Sequence, residues 1–288
     1  MKSIKAYIEG VKTLFRFPKI WGIYYWSNLV IAVLTAIPFF QYLNAQLGQS
    51  AVIERLLDEF DFRIISDVLA HYGAGILPFF NQSFLLVGVF LLMTAFLQGG
   101  ILYYYNRSEE QYKSSIFWSN CTQYFGRILR LSLVFILGHL LAFVLAWLLF
   151  QNLSKGMSPD RLQSEATVVM AACMVGIPYL IVAATIGMWQ DYAKTILVRE
   201  ELNGVLQAIK KAFRFCVKRC FSCFFLMVLN VLTLLFCYGL YKTLHLPVAP
   251  DAGLKLVLLF CISQTFIFMR MGVKLWNLAS VAEMVGEE

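Results

Sequence analysis

Apolar residues in this chain come in long runs, separated by shorter stretches that carry most of the charge. Six runs approach the ~20 residues an α-helix needs to cross the hydrocarbon of a bilayer. They cover residues 20–43, 79–103, 128–150, 166–189, 221–241 and 254–271, the last being the shortest. Backbone amides in lipid have no water to bond, so each run must satisfy its own polar groups as a helix. The pattern predicts an all-α polytopic membrane helix bundle with about six transmembrane helices. The first run is too long for a signal-peptide core and lacks a small-residue cleavage site, so it reads as an uncleaved anchor.

A different periodicity precedes some of these runs. Ile4, Ile8, Val11, Leu14 and Phe15 fall on one helical face, as do Val205, Ile209, Ala212, Phe213 and Cys216. Lys and Arg flank both faces, the pattern of helices that lie along a membrane interface. Between the first two spans, residues 44–78 hold another amphipathic stretch, with Ile53, Leu56, Leu57, Phe60, Ile64 and Val68 on its apolar side. Its acidity fits an outer face, as a surface cap or as a lid.

The chain also repeats itself. VKTLFRF at 11–17 matches IKKAFRF at 209–215, and the same offset of 198 superimposes VLT at 33–35 on VLT at 231–233. CTQYFGR at 121–127 is a weaker third copy that places Phe125 over Phe15 and Phe213. RSEE at 107–110 and REE at 199–201 follow the second and fourth spans. One membrane domain of three parallel repeats is expected, with units of about 1–110, 111–203 and 204–288, each an amphipathic basic helix followed by a helical hairpin. Parallel repeats differ from the inverted plan of many secondary transporters.

Composition strengthens the membrane reading. Of 288 residues, 60 % are hydrophobic and 14 % charged, with a mean hydropathy of +0.69. A soluble domain is nearer a quarter charged. The net charge of +7 is not a nucleic-acid footprint, because the basic residues sit at span ends rather than in a polar stripe. Eighteen Lys and Arg fall in the N-terminal, second-to-third, fourth-to-fifth and C-terminal segments, against six in the alternate loops. The positive-inside rule then puts both termini in the cytoplasm. A bacterial cytoplasmic (inner) membrane is the expected location.

Candidate chemistry is sparse. Seven cysteines occur, all in apolar runs or at their cytoplasmic ends, and Cys216, Cys220 and Cys223 cluster without nearby histidines. They read as apolar cysteines rather than disulfide or metal partners, and no cofactor is expected. No G-x-S-x-G elbow, H-E-x-x-H helix or Walker loop is present, so the chain reads as non-enzymatic. Polar groups within the spans are the remaining candidates. His139 stands near the middle of the third span, where it either relays protons or bonds a neighbouring span, and Asn28 and Asn230 stand in the first and fifth, where bonds between helices account for them. Gln98, Asp191 and Arg270 lie near the cytoplasmic ends of the three returning spans, where they could meet near a threefold axis. An Asp191–Arg270 pair there is either an interfacial ion pair or part of a vestibule for an anionic headgroup.

The FRF-like segments, Gly99-Gly100 ending the second span and Asp191 ending the fourth resemble a broad group of uncharacterised bacterial six-span membrane proteins. They are also similar to the membrane domain of some glycerophosphoryl diester phosphodiesterases. The resemblance implies an architecture and a lipid or envelope context. It implies no hydrolase chemistry, because this chain has no catalytic domain of that kind. A lipid-associated or envelope-maintenance factor is the leading expectation, with a small-molecule or lipid transporter or channel as the alternative. Membrane lipids are the expected partners, and a membrane-protein partner or a second copy of the chain stays open.

Overall fold

The computed structural model describes residues 2–47, 62–155, 165–245 and 253–287. Among them are eight α-helices and no strand. These are α1 (Lys2–Arg16), α2 (Pro18–Leu47), α3 (Phe62–Asn106), α4 (Ser114–Lys155), α5 (Glu165–Arg199), α6 (Val205–Lys218), α7 (Cys220–His245) and α8 (Gly253–Gly286). Six of them contain stretches long and apolar enough to cross a bilayer: Pro18–Tyr42, Phe84–Asn106, Ser114–Leu153, Ala172–Arg199, Cys220–Leu244 and Val257–Gly286. An all-helical chain with six such helices has the architecture of an integral membrane protein.

Local chemistry explains where helices start and stop. Pro18 has no N–H and disfavours the helical conformation at Phe17, which separates α1 from α2. Arg219, with φ −122° and ψ 33°, makes the corresponding joint between α6 and α7. The middle amphipathic segment has no such joint: α4 continues from Ser114 to Lys155, through Gly126, without a break. The outer amphipathic segment also differs from expectation. Residues 48–61 lie outside the described residues, and from Phe62 the chain is already part of α3. The sixth span does not stop near Met271 but runs on as α8 to Gly286, because small and apolar residues there are buried against other helices.

The chain forms two units. Gly22–Thr94 is one, made of most of α2 and the first part of α3. Polar side chains on α2 bond back along their own helix, as Ser27 does to the Ile23 carbonyl (2.8 Å) and Thr35 to the Ile31 carbonyl (2.8 Å).

Met1–Trp21 and Ala95–Glu288 form the other unit. Its buried residues gather at the helix ends nearest the termini: Leu97 to Tyr105 on α3, Phe117 to Phe135 on α4, Tyr192 to Val198 on α5 and Leu275 to Val285 on α8. Further along α4, α5 and α8, and on α7, large apolar residues are exposed, among them Leu141, Leu149, Met174, Leu180, Phe236 and Phe260. The unit is therefore a packed collar from which the helices extend as apolar, solvent-excluding surfaces suited to lipid.

Short amphipathic segments build the collar. α1 packs on α8, and α6 packs on α5. The start of α4 packs on the end of α3, where a Cβ on Gly99 would lie 2.8 Å from the Asn120 carbonyl oxygen, and one on Gly100 would lie 2.7 Å from Cys121 Sγ. The packing face is the small-residue face. α1 buries Ser3, Ala6, Gly10, Thr13 and Leu14, whereas Ile4, Ile8 and Phe15 point outward. α6 buries Ala208, Ala212, Phe215 and Cys216 and exposes Leu206, Phe213 and Val217. Small residues let helix backbones approach closely when lipid offers no hydrophobic drive between helices.

Candidate functional site

The polar groups singled out from the sequence fall in different places. His139 Nδ1 meets the Phe135 carbonyl at 2.8 Å on its own helix. Asn28 Nδ2 donates to the Tyr24 carbonyl (2.6 Å) and Asn230 Nδ2 to the Leu226 carbonyl (2.9 Å). The two asparagines therefore bond one turn back rather than across helices, the local solution a polar side chain takes in apolar surroundings. Asn230 keeps a buried Oδ1 without a partner. Gln98 is buried in the collar.

Asp191 and Arg270 are not brought together as a pair. Arg270 is exposed on α8. Asp191 Oδ2 instead accepts from Asn277 Nδ2 at 2.8 Å, two helical turns further along α8. Lys194 and Lys274 lie within electrostatic reach of the same carboxylate. Lys194 is only 5 % exposed, one turn from Asp191 on α5. One carboxylate between α5 and α8 thus takes an amide hydrogen bond and has two lysines within electrostatic reach. Burying charge is tolerated where partners of opposite sign are within reach.

Asn277 and Lys194 were missed in the sequence, yet a signal existed. Leu97-Gln98, Trp189-Gln190 and Trp276-Asn277 are equivalent large-apolar/amide pairs, each ahead of a span end. Both tryptophans act alike: Trp189 Nε1 donates to the Ile209 carbonyl (3.2 Å) and Trp276 Nε1 to the Tyr7 carbonyl (2.8 Å). Each indole thereby ties a span to the amphipathic helix lying on it.

Arginines tie down the helix ends. Arg16 reaches the Glu109 carbonyl (3.2 Å), and Arg127 reaches the carbonyls of Glu201 and Leu202 (both 3.4 Å). Cations are favoured at C-terminal carbonyls by both hydrogen bonding and the helix dipole. Glu201 has φ 52°, a left-handed conformation that costs a residue with a Cβ, and its carboxylate pairs with Arg107 at 3.2 Å.

All seven cysteines are free, and no cluster suited to a metal exists among the described residues. Cys216 and Cys223 share a hydrogen bond across the α6–α7 joint, which with burial raises the Cys216 thiol above its ordinary range. Burial also raises the Tyr7 phenol, whose hydroxyl bonds that of Thr233 on α7.

One concavity is long and apolar. A groove of about 680 Å³ runs between α4 and α5, with Gly138 and Ala142 on one wall and Pro178 and Tyr179 on the other. Leu153 and Met174 line its far end, and Trp189 with Ile209 line the end at the collar. Val134 and Leu153 are 19 residues apart on α4, or about 28 Å at 1.5 Å per residue, close to the ~30 Å thickness of a hydrocarbon core. Its volume and apolar lining suit an apolar chain.

Compared with family models, curated proteins and solved structures, the chain matches none.

Proposed function

We propose that this protein is a non-enzymatic, lipid-associated factor of a bacterial inner membrane, with both termini and the collar on the cytoplasmic side. The observation that carries the reading is the groove between α4 and α5, apolar over a length comparable with a bilayer's hydrocarbon. The exposed faces of α1 and α6 add to it. Ile4, Ile8 and Phe15, and Leu206, Phe213 and Val217, sit beside lysines and arginines, as interfacial helices require. The same contacts support three parallel repeats. Each amphipathic segment lies on a returning span: α1 on α8, the start of α4 on α3, and α6 on α5. That order closes into a ring.

Lipid transport is the second reading, and the charged cluster of Asp191, Lys194 and Lys274 within the collar favours it. The test is to purify the full chain in a mild detergent, measure bound phospholipid by native mass spectrometry, and assay lipid movement in proteoliposomes. Retained lipid without movement supports the first reading. Movement between leaflets selects the second, and a protein that keeps no lipid contradicts both.

A further inference from the structure

The groove between α4 and α5 has a distinct chemistry at the end where it meets the collar. Trp189 and Ile209 line that end, and Phe213 packs tilted against Trp189 with ring centroids 5.3 Å apart. Three exposed cations lie close in sequence to the residues at that end. Arg130 precedes Val134 by one turn on the groove face of α4, Lys210 follows Ile209, and Arg214 follows Phe213. Acidic residues nearby are engaged elsewhere: Glu200 pairs with Lys211, and Glu201 with Arg107. Arg130, Lys210 and Arg214 take part in no ion pair among the described residues. An apolar trough thus ends at Trp189, and three exposed cations without an ion pair among the described residues stand within about a turn of that end along α4 and α6.

We infer that this groove is a binding site for one anionic phospholipid, its acyl chain lying between Gly138 and Pro178 and its phosphate headgroup at Arg130, Lys210 and Arg214. The inference rests on the lipid-associated reading above and specifies its ligand. Tryptophan favours the headgroup level, where an apolar ring body and a polar N–H are both satisfied, and Trp189 marks that level. Arginine and lysine at the same level attract anionic lipid. Gly138 has open space where a Cβ would point, so the trough is accessible along the wall a chain would occupy. A zwitterionic lipid would fill the same trough but gain less from the cations.

Competition binding of the full chain in detergent micelles tests this, with phosphatidylglycerol and phosphatidylcholine of identical acyl chains read by native mass spectrometry. The expected result is a preference for phosphatidylglycerol of about tenfold or more, on the scale of several basic residues acting on one headgroup. The variant R130Q/K210Q/R214Q should lose that preference while binding phosphatidylcholine as before. K210Q alone should reduce it, which keeps the test valid if the triple variant fails to fold. Gly138→Phe, whose ring enters open space, should weaken both lipids. Inorganic phosphate alone should not displace the lipid; if it does, the site takes a free anion and the inference falls. Equal affinity for the two lipids in the unaltered protein overturns the headgroup assignment while leaving lipid association intact. Preference unchanged in K210Q and the triple variant, or full binding by Gly138→Phe, places the lipid elsewhere and overturns the site. Absence of either lipid from the unaltered protein overturns the inference and the lipid-associated reading together.

Discussion

Gly10 shows how tightly the collar is built. A Cβ there would lie 2.3 Å from Ser280 Oγ and 2.8 Å from the Ser280 backbone nitrogen, so α1 and α8 touch backbone to backbone. Gly10→Ala should destabilise the protein by about 1–3 kcal/mol, the usual cost of forcing an extra carbon into a packed contact. Gly126→Ala, with nothing within 4 Å, should be neutral or slightly stabilising. Thermal unfolding in detergent reads both, and equal effects would mean that the α1–α8 contact is looser than described. Asp191 gives a second residue-scale test. Its partner is Asn277 at 2.8 Å, so Asp191→Ala and Asn277→Ala should be coupled by about 0.5–3 kcal/mol in a double-mutant cycle. Asp191→Ala and Arg270→Ala should add to within about 0.5 kcal/mol. The reverse result would restore the Asp191–Arg270 pair. Arg270 was the natural candidate in the sequence because charge in an apolar run draws notice. Asn277 carries no charge, and its role depends on which face α8 turns toward α5.

At the scale of elements, hydrophobic run length located all six candidate spans, because the requirement that lipid-exposed backbone bond to itself leaves helix as the outcome. Helix ends were harder to read. The stretch after Met271 is a mixture of small, apolar and polar residues, and only burial against α1 and α5 explains its continuation as α8. The amphipathic helices were legible as helices but not in orientation. An apolar stripe of Ile4, Ile8 and Phe15 suggests a packing face, yet α1 packs through Ser3, Ala6, Gly10 and Thr13. Close helix contact selects small side chains, and the large ones are left for lipid. Spin labels at Leu206 and Val217 on α6 should therefore be accessible to oxygen dissolved in the bilayer, while labels at Ala208 and Ala212 should not. Uniform accessibility around α6 would show that it does not dock on α5. The groove was not legible at all, because it depends on the separation of α4 and α5 beyond the collar.

At the scale of the whole molecule, eighteen basic residues in the terminal, second-to-third and fourth-to-fifth segments, against six in the alternate loops, should set orientation. A fluorescent-protein fusion after Gly286 should mature in the cytoplasm, and an alkaline phosphatase fusion between α4 and α5 should be active outside it. Reversed signals would invert the topology and place the collar on the outer face. A bundle packed in its collar and open to lipid between α4 and α5 can be seen by electron cryomicroscopy of the full chain in nanodiscs containing phosphatidylglycerol. Elongated non-protein density is expected along Gly138 and Pro178, reaching Trp189 with its head near Arg130 and Lys210. Helices α4 and α5 closed against each other, with side chains filling the groove and no such density, would contradict that arrangement.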